Sequence, residues 1–426
     1  MEILKKIGKC LAILVILNIV YMIFMTVAYT TPVDGKVKEN VGNSLFTVVN
    51  EDQFPVFHDP NGYWNDITTD LIWLNMAVCE GKNPFEGAMA LYYQMTSNIS
   101  EDGNPQTYHH LVSALYYNGA EGTHMQQYSR YWLLFMGILK PMFLIWEISE
   151  IRYIFYFVLF ALSTTLIYQM GKVLDWRGIV PLGAAMAVRL WQMHSICLAT
   201  MPDILIAIIS MLLVINMYKK DTFKDKHMYL FLIIGSFSFA FGPLIAPILT
   251  LGMPLVLSIM LGNEKSNKIE SWIRIIVDSV AWVAGYAISL IFKQMLAKAV
   301  IGMQDGTEEA LYWFGMDMGF KERIDRIIYC FDGLLSPLNV KLPILLVIIA
   351  ILIIAIIKNG INKTGNMLLL LFLALYPIAW IFVVVRHSQH YWAANILSVT
   401  VFAILAMLTM SVNKKSDREK DTVSNR

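Results

Sequence analysis

The run CLAILVILNIVYMIFMTVA, residues 10–28, decides what kind of protein this is. It is about as long as the roughly 20 apolar residues a helix needs to cross a bilayer, and no small-residue cleavage site precedes the polar residues that follow. The basic opening MEILKKIGK therefore starts an uncleaved first helix rather than a secretory leader. Beyond it lies one long polar stretch, residues 30–130, and then a near-continuous series of apolar runs. A membrane protein that places an acidic, histidine-rich and aromatic segment straight after its first span is expected to work at one membrane face.

Composition supports that reading. The chain is 57% hydrophobic and 15% charged, with a mean hydropathy of +0.55, whereas charged residues make up about a quarter of ordinary soluble domains. A net charge of +1 leaves no basic stripe for nucleic acid. Cys10, Cys79, Cys197 and Cys330 show neither CxxC nor metal-ligand spacing, so neither a disulfide framework nor a zinc site is indicated.

The expected architecture is an all-α polytopic membrane protein of about ten spans. The spans fall near 8–29, 151–172, 178–200, 203–219, 228–243, 245–262, 271–293, 343–358, 365–386 and 391–412. KKIGK, KVLDWRG (172–178), YKKDTFKDKH (218–227), NEKSNK (263–268), KNGINK (358–363) and the KKSDREK tail all fall on one side under alternating crossings. Basic loops stay in the cytoplasm, which places both termini there. The chain then divides into a first span (1–29), an extracytoplasmic loop (30–150), a bundle (151–412) with a second outer loop (294–342), and a cytoplasmic tail (413–426). Gly242-Pro243, Pro247 and Pro254 break the 228–262 stretch into two short helices. The run Trp132–Trp146, interrupted by Lys140-Pro141, is expected to lie along the outer interface with its tryptophans at headgroup level.

Several groups can carry chemistry. In GYWNDITTDLIWLNMAVCEGKNPF (62–85), Asp66 and Asp70 share one helical face. Two carboxylates on one ridge suit a general base and a cation-orienting partner; the same spacing equally fits Asp66 as a helix cap and Asp70 at the positive helix end. His124, Tyr128 and Arg130 precede the interfacial run, where an arginine can bind phosphate or anchor the chain at the interface. Adjacent His109 and His110 read as solvated loop residues. Arg189, His194, Asp203 and Asp278 fall within or at the ends of spans, where ionisable groups are costly and tend to be used; a snorkelling or paired structural role is the alternative. RHSQHYW (386–392) places Arg386, His387, His390 and Tyr391 at an outer turn. Asn98-Ile-Ser and Asn362-Lys-Thr match the glycosylation triplet but carry no function on that ground.

The order of these features resembles the C-type glycosyltransferases, the GT-C superfamily, and within it the mannosyl- and aminoarabinosyltransferase-like branch. NDITTDLIWLNMAVCEGKNPF is similar to that family's acidic helix in the first outer loop. YWLLFMGILKPMFLIWEISEIRYIFYFVLFALSTTLIYQMGKVL looks like its interfacial helix and acidic-arginine step into the second span. PDILIAIISMLLVINMYKK, GSFSFAFGPLIAPIL and RHSQHYWAANIL resemble its acidic fourth span, its glycine-proline break and its basic-tyrosine start of a late span. The resemblance covers nearly the whole chain, through degenerate motifs. It implies sugar transfer from a polyprenyl-phosphate donor to a glycan or lipid acceptor at the outer leaflet. Asp66 matches the catalytic carboxylate with Asp70 as the rival, Glu150 and Arg152 match the step at the second span, and Arg386, His390 and Tyr391 sit near the donor phosphate. The family's acidic pair is here split between Asp66 and Asp70, and Phe241 stands where a lysine commonly precedes Gly-Pro. A divalent cation is compatible with this chemistry but not required by the sequence. A transporter or flippase, or a non-catalytic component of a surface-polysaccharide system, would share the topology.

Overall fold

The computed structural model describes residues 2–50, 67–99, 106–117, 119–189, 191, 195–242, 245–262, 268–302, 312, 314–335, 343, 346–348, 350, 353–354, 357, 366–389 and 391–412. Asp66, His194, His390 and the tail 413–426 lie outside these residues, as does most of the expected span 343–358. The side chains of His387 and Tyr391 also lie outside the description.

The fold is helical, and among the described residues four helices are long and apolar enough to cross a membrane. They are α1 (Glu2–Ala28), α7 (Ile148–Leu174), α9 (Met201–Lys219) and α12 (Lys268–Ile301). Their outward faces hold what a soluble protein would hide: Ile16, Val20 and Ile23 on α1, Phe157 and Phe160 on α7, and Ile276, Val280 and Val283 on α12 are all exposed. A continuous apolar exterior on long helices is stable only against lipid, so the chain associates with a membrane.

Between α1 and α7 the polar stretch, called the polar unit below, folds into short helices and a hairpin that share one hydrophobic core with the long helices. It contains α2 (Gly35–Asn50), α3 (Ile67–Val78), α4 (Pro84–Ala90), β1 (Tyr93–Thr96), α5 (Gln106–Tyr116), β2 (Thr123–Gln126) and α6 (Leu134–Met142). The two strands pair antiparallel, Tyr93 opposite Gln126 and Thr96 opposite Thr123. A two-stranded hairpin is marginal alone; here Asn75 holds it against α3, donating to the Gln94 carbonyl and accepting from the Gln94 N–H, both at 2.9 Å.

Two buried lysines fasten this unit. Lys140 of α6 donates to the carbonyls of Ala77 (2.9 Å) and Cys79 (3.1 Å), capping the end of α3, while its ammonium lies over the Tyr29 ring. Lys293 of α12 donates to the Met89 carbonyl at 2.8 Å, near the end of α4, and lies over Trp132. Cations favour helix C-termini because the last carbonyls there lack partners and carry partial negative charge. Trp132 is therefore a core residue, not a headgroup anchor: it is fully buried, and its indole N–H donates to Asn18 of α1 at 3.0 Å. Most of α6 is likewise buried against protein.

The rest of the bundle comprises α8 (Trp176–Val188), α10 (Phe223–Phe241), α11 (Pro247–Leu261), α13 (Phe320–Leu335), α14 (Met367–Ala374), α15 (Tyr376–Val383), the 3-10 turns Val385–Gln389 and Tyr391–Leu397, and α16 (Ser398–Met410). The expected pair of short helices in 228–262 is present as α10 and α11. Because α11 returns between them, α10 and α12 run parallel and pack backbone to backbone. A Cβ on Gly235 would fall 2.0 Å from the Trp282 carbonyl oxygen, and one on Gly285 would fall 2.0 Å from that of Leu232. Tyr21, Ser236, Ser289 and Asn18 link α1, α10 and α12 through a chain of buried hydrogen bonds. Such a chain satisfies polar groups where no water is available.

Three expectations need correction. The span 178–200 is not one helix: α8 ends at Val188, and residues 195–200 form turns. At about 20 Å, α8 is shorter than a bilayer's apolar core. It ends where the Arg189 guanidinium meets oxygen acceptors inside the protein. The loop 294–342 begins with helix, since α12 continues to Ile301, and it contains the amphipathic α13. The span 365–386 is α14 followed directly by α15, with Leu375 in helical conformation between them, and it ends at Val383 before a 3-10 turn.

Candidate functional site

One end of the bundle collects the polar unit, the start of α7, the end of α8, the starts of α9 and α11, the end of α12, and the 3-10 turns. Hydrogen bonds between named residues join them. Asp70 on α3 is fully buried and accepts from Arg152 of α7 at 2.9 Å and from the Leu198 N–H at 3.4 Å. Arg152 is itself 8% exposed at the side chain. A carboxylate and a guanidinium placed this way satisfy each other and hold the first turn of α3 against α7; water reaches neither readily.

Glu150 has a different task from Arg152. Its carboxylate accepts from the Glu147 N–H at 3.0 Å, closing a capping box at the start of α7. Asp203 in the first turn of α9 is buried and accepts from the Ala246 N–H at 2.8 Å, so it ties α9 to the turn leading into α11. Arg189, fully buried, donates to Asn395 at 2.8 Å and to the Gly333 carbonyl at 2.7 Å. It joins α8 to α13 and to the second 3-10 turn.

Arg130 lies over the rings of Tyr128 (4.6 Å) and Tyr131 (5.6 Å), and Tyr128 in turn meets Tyr93 of the hairpin edge to face. Tyr131 packs on Phe239 of α10, and Phe239 on Tyr286 of α12, so an aromatic path leads from the hairpin into the bundle. His124 is exposed on β2, opposite Met95.

Arg386, on the first 3-10 turn, is the most accessible arginine of this set. It pairs with Asp317, whose side chain is 67% exposed, and its guanidinium lies 4.0 Å from the Tyr312 ring centre. The guanidinium holds the Asp317 carboxyl below its usual range. Arg323 on α13 braces this corner by donating to the carbonyls of Phe382 and Gly315, both at 2.6 Å.

Within the polar unit, burial sets the ionisation of three groups. It pushes the Lys140 ammonium down to about 8, against the opposing pull of Cys79 and Glu80. It pushes the Cys79 thiol up to about 12. It lowers His110, whose Nδ1 accepts from the Thr96 N–H at 3.2 Å and so must carry a lone pair. Contrary to the reading of solvated loop histidines, His109 and His110 are both buried on α5.

The sequence-predicted residues thus form several groups instead of one cluster. Asp70 joins Arg152, Tyr128 joins Arg130, Arg189 joins Asn395, and Arg386 joins Asp317. Reading by sequence missed Lys140, Lys293, Asn395, Asp317 and Arg323. The lysine beside Pro141 was the visible signal for the first. Among the described residues, no group of three or more His, Cys, Asp or Glu side chains is placed to hold a metal ion. Comparison with protein-family models, characterised proteins and solved structures finds no match to this chain.

Proposed function

We propose that this chain is a membrane glycosyltransferase of the GT-C type, moving a sugar from a polyprenyl-phosphate donor to a cell-surface glycan or lipid acceptor at the outer membrane face. In this reading the chain crosses the membrane about ten times with both termini in the cytoplasm. The observation that carries it is Arg386: at the end of an apolar bundle that bears the polar unit, one guanidinium is held, among the described residues, by the exposed carboxylate of Asp317 and by Tyr312. An arriving phosphate can replace Asp317 and take up the fork of donors.

Asp66 is the base. It removes the proton of an acceptor hydroxyl as the oxygen attacks the anomeric carbon; the bond from that carbon to the phosphate oxygen breaks, and the lipid phosphate leaves with the electron pair. Negative charge grows on the leaving phosphate, so a fixed Arg386 lowers the barrier more than it aids binding. Asp70, Arg152, Glu150 and Arg189 hold the helices that frame the site, and Asp70 is a scaffold residue in this scheme because its partner is Arg152.

The test is Asp66→Asn in cells and in purified protein. The expected result is normal expression with loss of transfer and accumulation of the lipid-linked sugar, read by mass spectrometry of lipid extracts. Full activity in that variant removes Asp66 from the mechanism. Loss of function on Asp278→Asn alone would favour a transporter instead, since Asp278 pairs with His227 inside the opposite end of the bundle.

A further inference from the structure

A pocket of about 350 Å³ opens in the polar unit between the hairpin and α5, away from Asp70 and Arg386. Thr96, Asn98, Ser113, Tyr117 and Thr123 line it together with the apolar Val112 and one imidazole, His109. Its lining holds no carboxylate, ammonium or guanidinium among the described residues. A phosphate needs cations and a metal ion needs anionic or imidazole ligands in number, so the described lining favours neither; it offers hydroxyl and amide groups beside the apolar Val112 and Ala120.

Hydrogen-bond accounting shows what the walls offer. The Thr96 hydroxyl accepts from the Asn98 N–H at 3.0 Å, and the Ser113 hydroxyl accepts from Gln94 Nε2 at 2.7 Å, so each retains a proton to donate. The Thr123 hydroxyl donates to the Ala120 carbonyl at 2.6 Å and retains lone pairs. Asn98 Nδ2 donates to the Glu121 carbonyl at 3.2 Å, which leaves Oδ1 as an acceptor. Among the described residues the hollow is therefore lined by both donors and acceptors, each already tied to the protein through one hydrogen bond. Tyr117, which also lines the pocket, is 61% exposed, so its ring is open to a ligand.

We infer that this pocket binds a neutral saccharide unit. Hydroxyl groups that both donate and accept match the mixed donors and acceptors of the wall, and the C–H face of a sugar ring matches the Tyr117 ring and Val112. The size suits a single sugar unit, near the lower end of the roughly 300–1,000 Å³ usual for small-molecule sites. Identification of the occupant as the acceptor glycan rests on the transferase proposal above; binding of the sugar does not.

The experiment is saturation-transfer NMR on the full chain in nanodiscs, using a panel of neutral hexoses, N-acetylhexosamines, deoxyhexoses and their disaccharides, with uronates and sugar phosphates as charged controls. Saturation should pass to at least one neutral sugar and to none of the charged controls. Tyr117→Ala, at a mostly exposed position, should weaken that sugar's binding about tenfold, a change of about 1.4 kcal/mol, and Thr96→Val should weaken it further. Asp66→Asn should leave binding intact, so loss of transfer with retained sugar binding separates the two proposals. The inference is overturned if no neutral sugar receives saturation, if the charged controls bind equally, or if Tyr117→Ala binds as the parent does.

Discussion

Two arginine–carboxylate pairs stand at the same end of this bundle, and burial makes them different devices. Arg152–Asp70 is shut inside the protein, with side chains 8% and 0% exposed; Arg386–Asp317 faces outward, at 20% and 67%. Separating a pair from water raises the cost of losing either member, because the survivor is stranded as a bare charge. Leaving a pair in water makes it weak and replaceable. The first pair can therefore fix where α3 meets α7, and only the second is free to exchange its carboxylate for another anion.

The largest expected effect breaks the first pair. Asp70→Ala should cost about 3–5 kcal/mol of stability, seen as a lower thermal midpoint in detergent and a loss of folded yield. Asp70→Leu combined with Arg152→Met should recover most of that loss; if it does not, the pair is more than a scaffold.

Lys140 extends the comparison to a buried cation whose hydrogen bonds go to main-chain carbonyls. Lys140→Met strands the Ala77 and Cys79 carbonyls, at an expected cost of about 1–3 kcal/mol. Its pH signature has a definite sign. The ammonium titrates at about 8 in the fold and near 10.4 unfolded, so the unfolded chain holds the extra proton between these values and stability rises with pH there. Cys79 opposes it: its thiol, raised to about 12 in the fold from about 8.5 unfolded, makes stability fall over an overlapping window. Cys79→Ala should expose the lysine's rise, and Lys140→Met the thiol's fall, in unfolding curves taken from about pH 8 to 10.

A smaller effect concerns His110, lowered by burial. Below about pH 6.5 the unfolded chain protonates first, so stability is lost as the pH is lowered. Protonated Nδ1 cannot accept from Thr96, so in acid the Thr96 amide should lose protection relative to its intrinsic exchange rate at that pH, a change that His110→Gln removes. Smallest of all is Asp317→Asn, which should leave the thermal midpoint unchanged. If it destabilises the fold as Asp70→Ala does, the contrast between the pairs is wrong.

Helix positions were legible because apolar runs of membrane-spanning length announce themselves. Glycine and proline at 242–254 likewise revealed the α10–α11 break. What escaped was set by distant partners. Nothing near Arg189 says that the helix stops there; its acceptors come from Gly333 and Asn395, far along the chain. Asp70 read as one of two carboxylates on a ridge because Arg152, which claims it, lies 82 residues on. Trp132 and Lys140 looked like an interfacial anchor and a charge to be kept out of lipid, since the sequence does not show that α3 and α1 supply a carbonyl and an asparagine to meet them. The hairpin was hidden by its length, for Tyr93–Thr96 is too short for an alternating pattern to register.

The glycine contacts between α10 and α12 have a mechanical consequence. With Gly235 against Trp282 and Gly285 against Leu232 at main-chain range, neither helix can slide or swivel past the other without collision. Together they make a stiff rail, and Lys293 couples that rail to the polar unit through Met89.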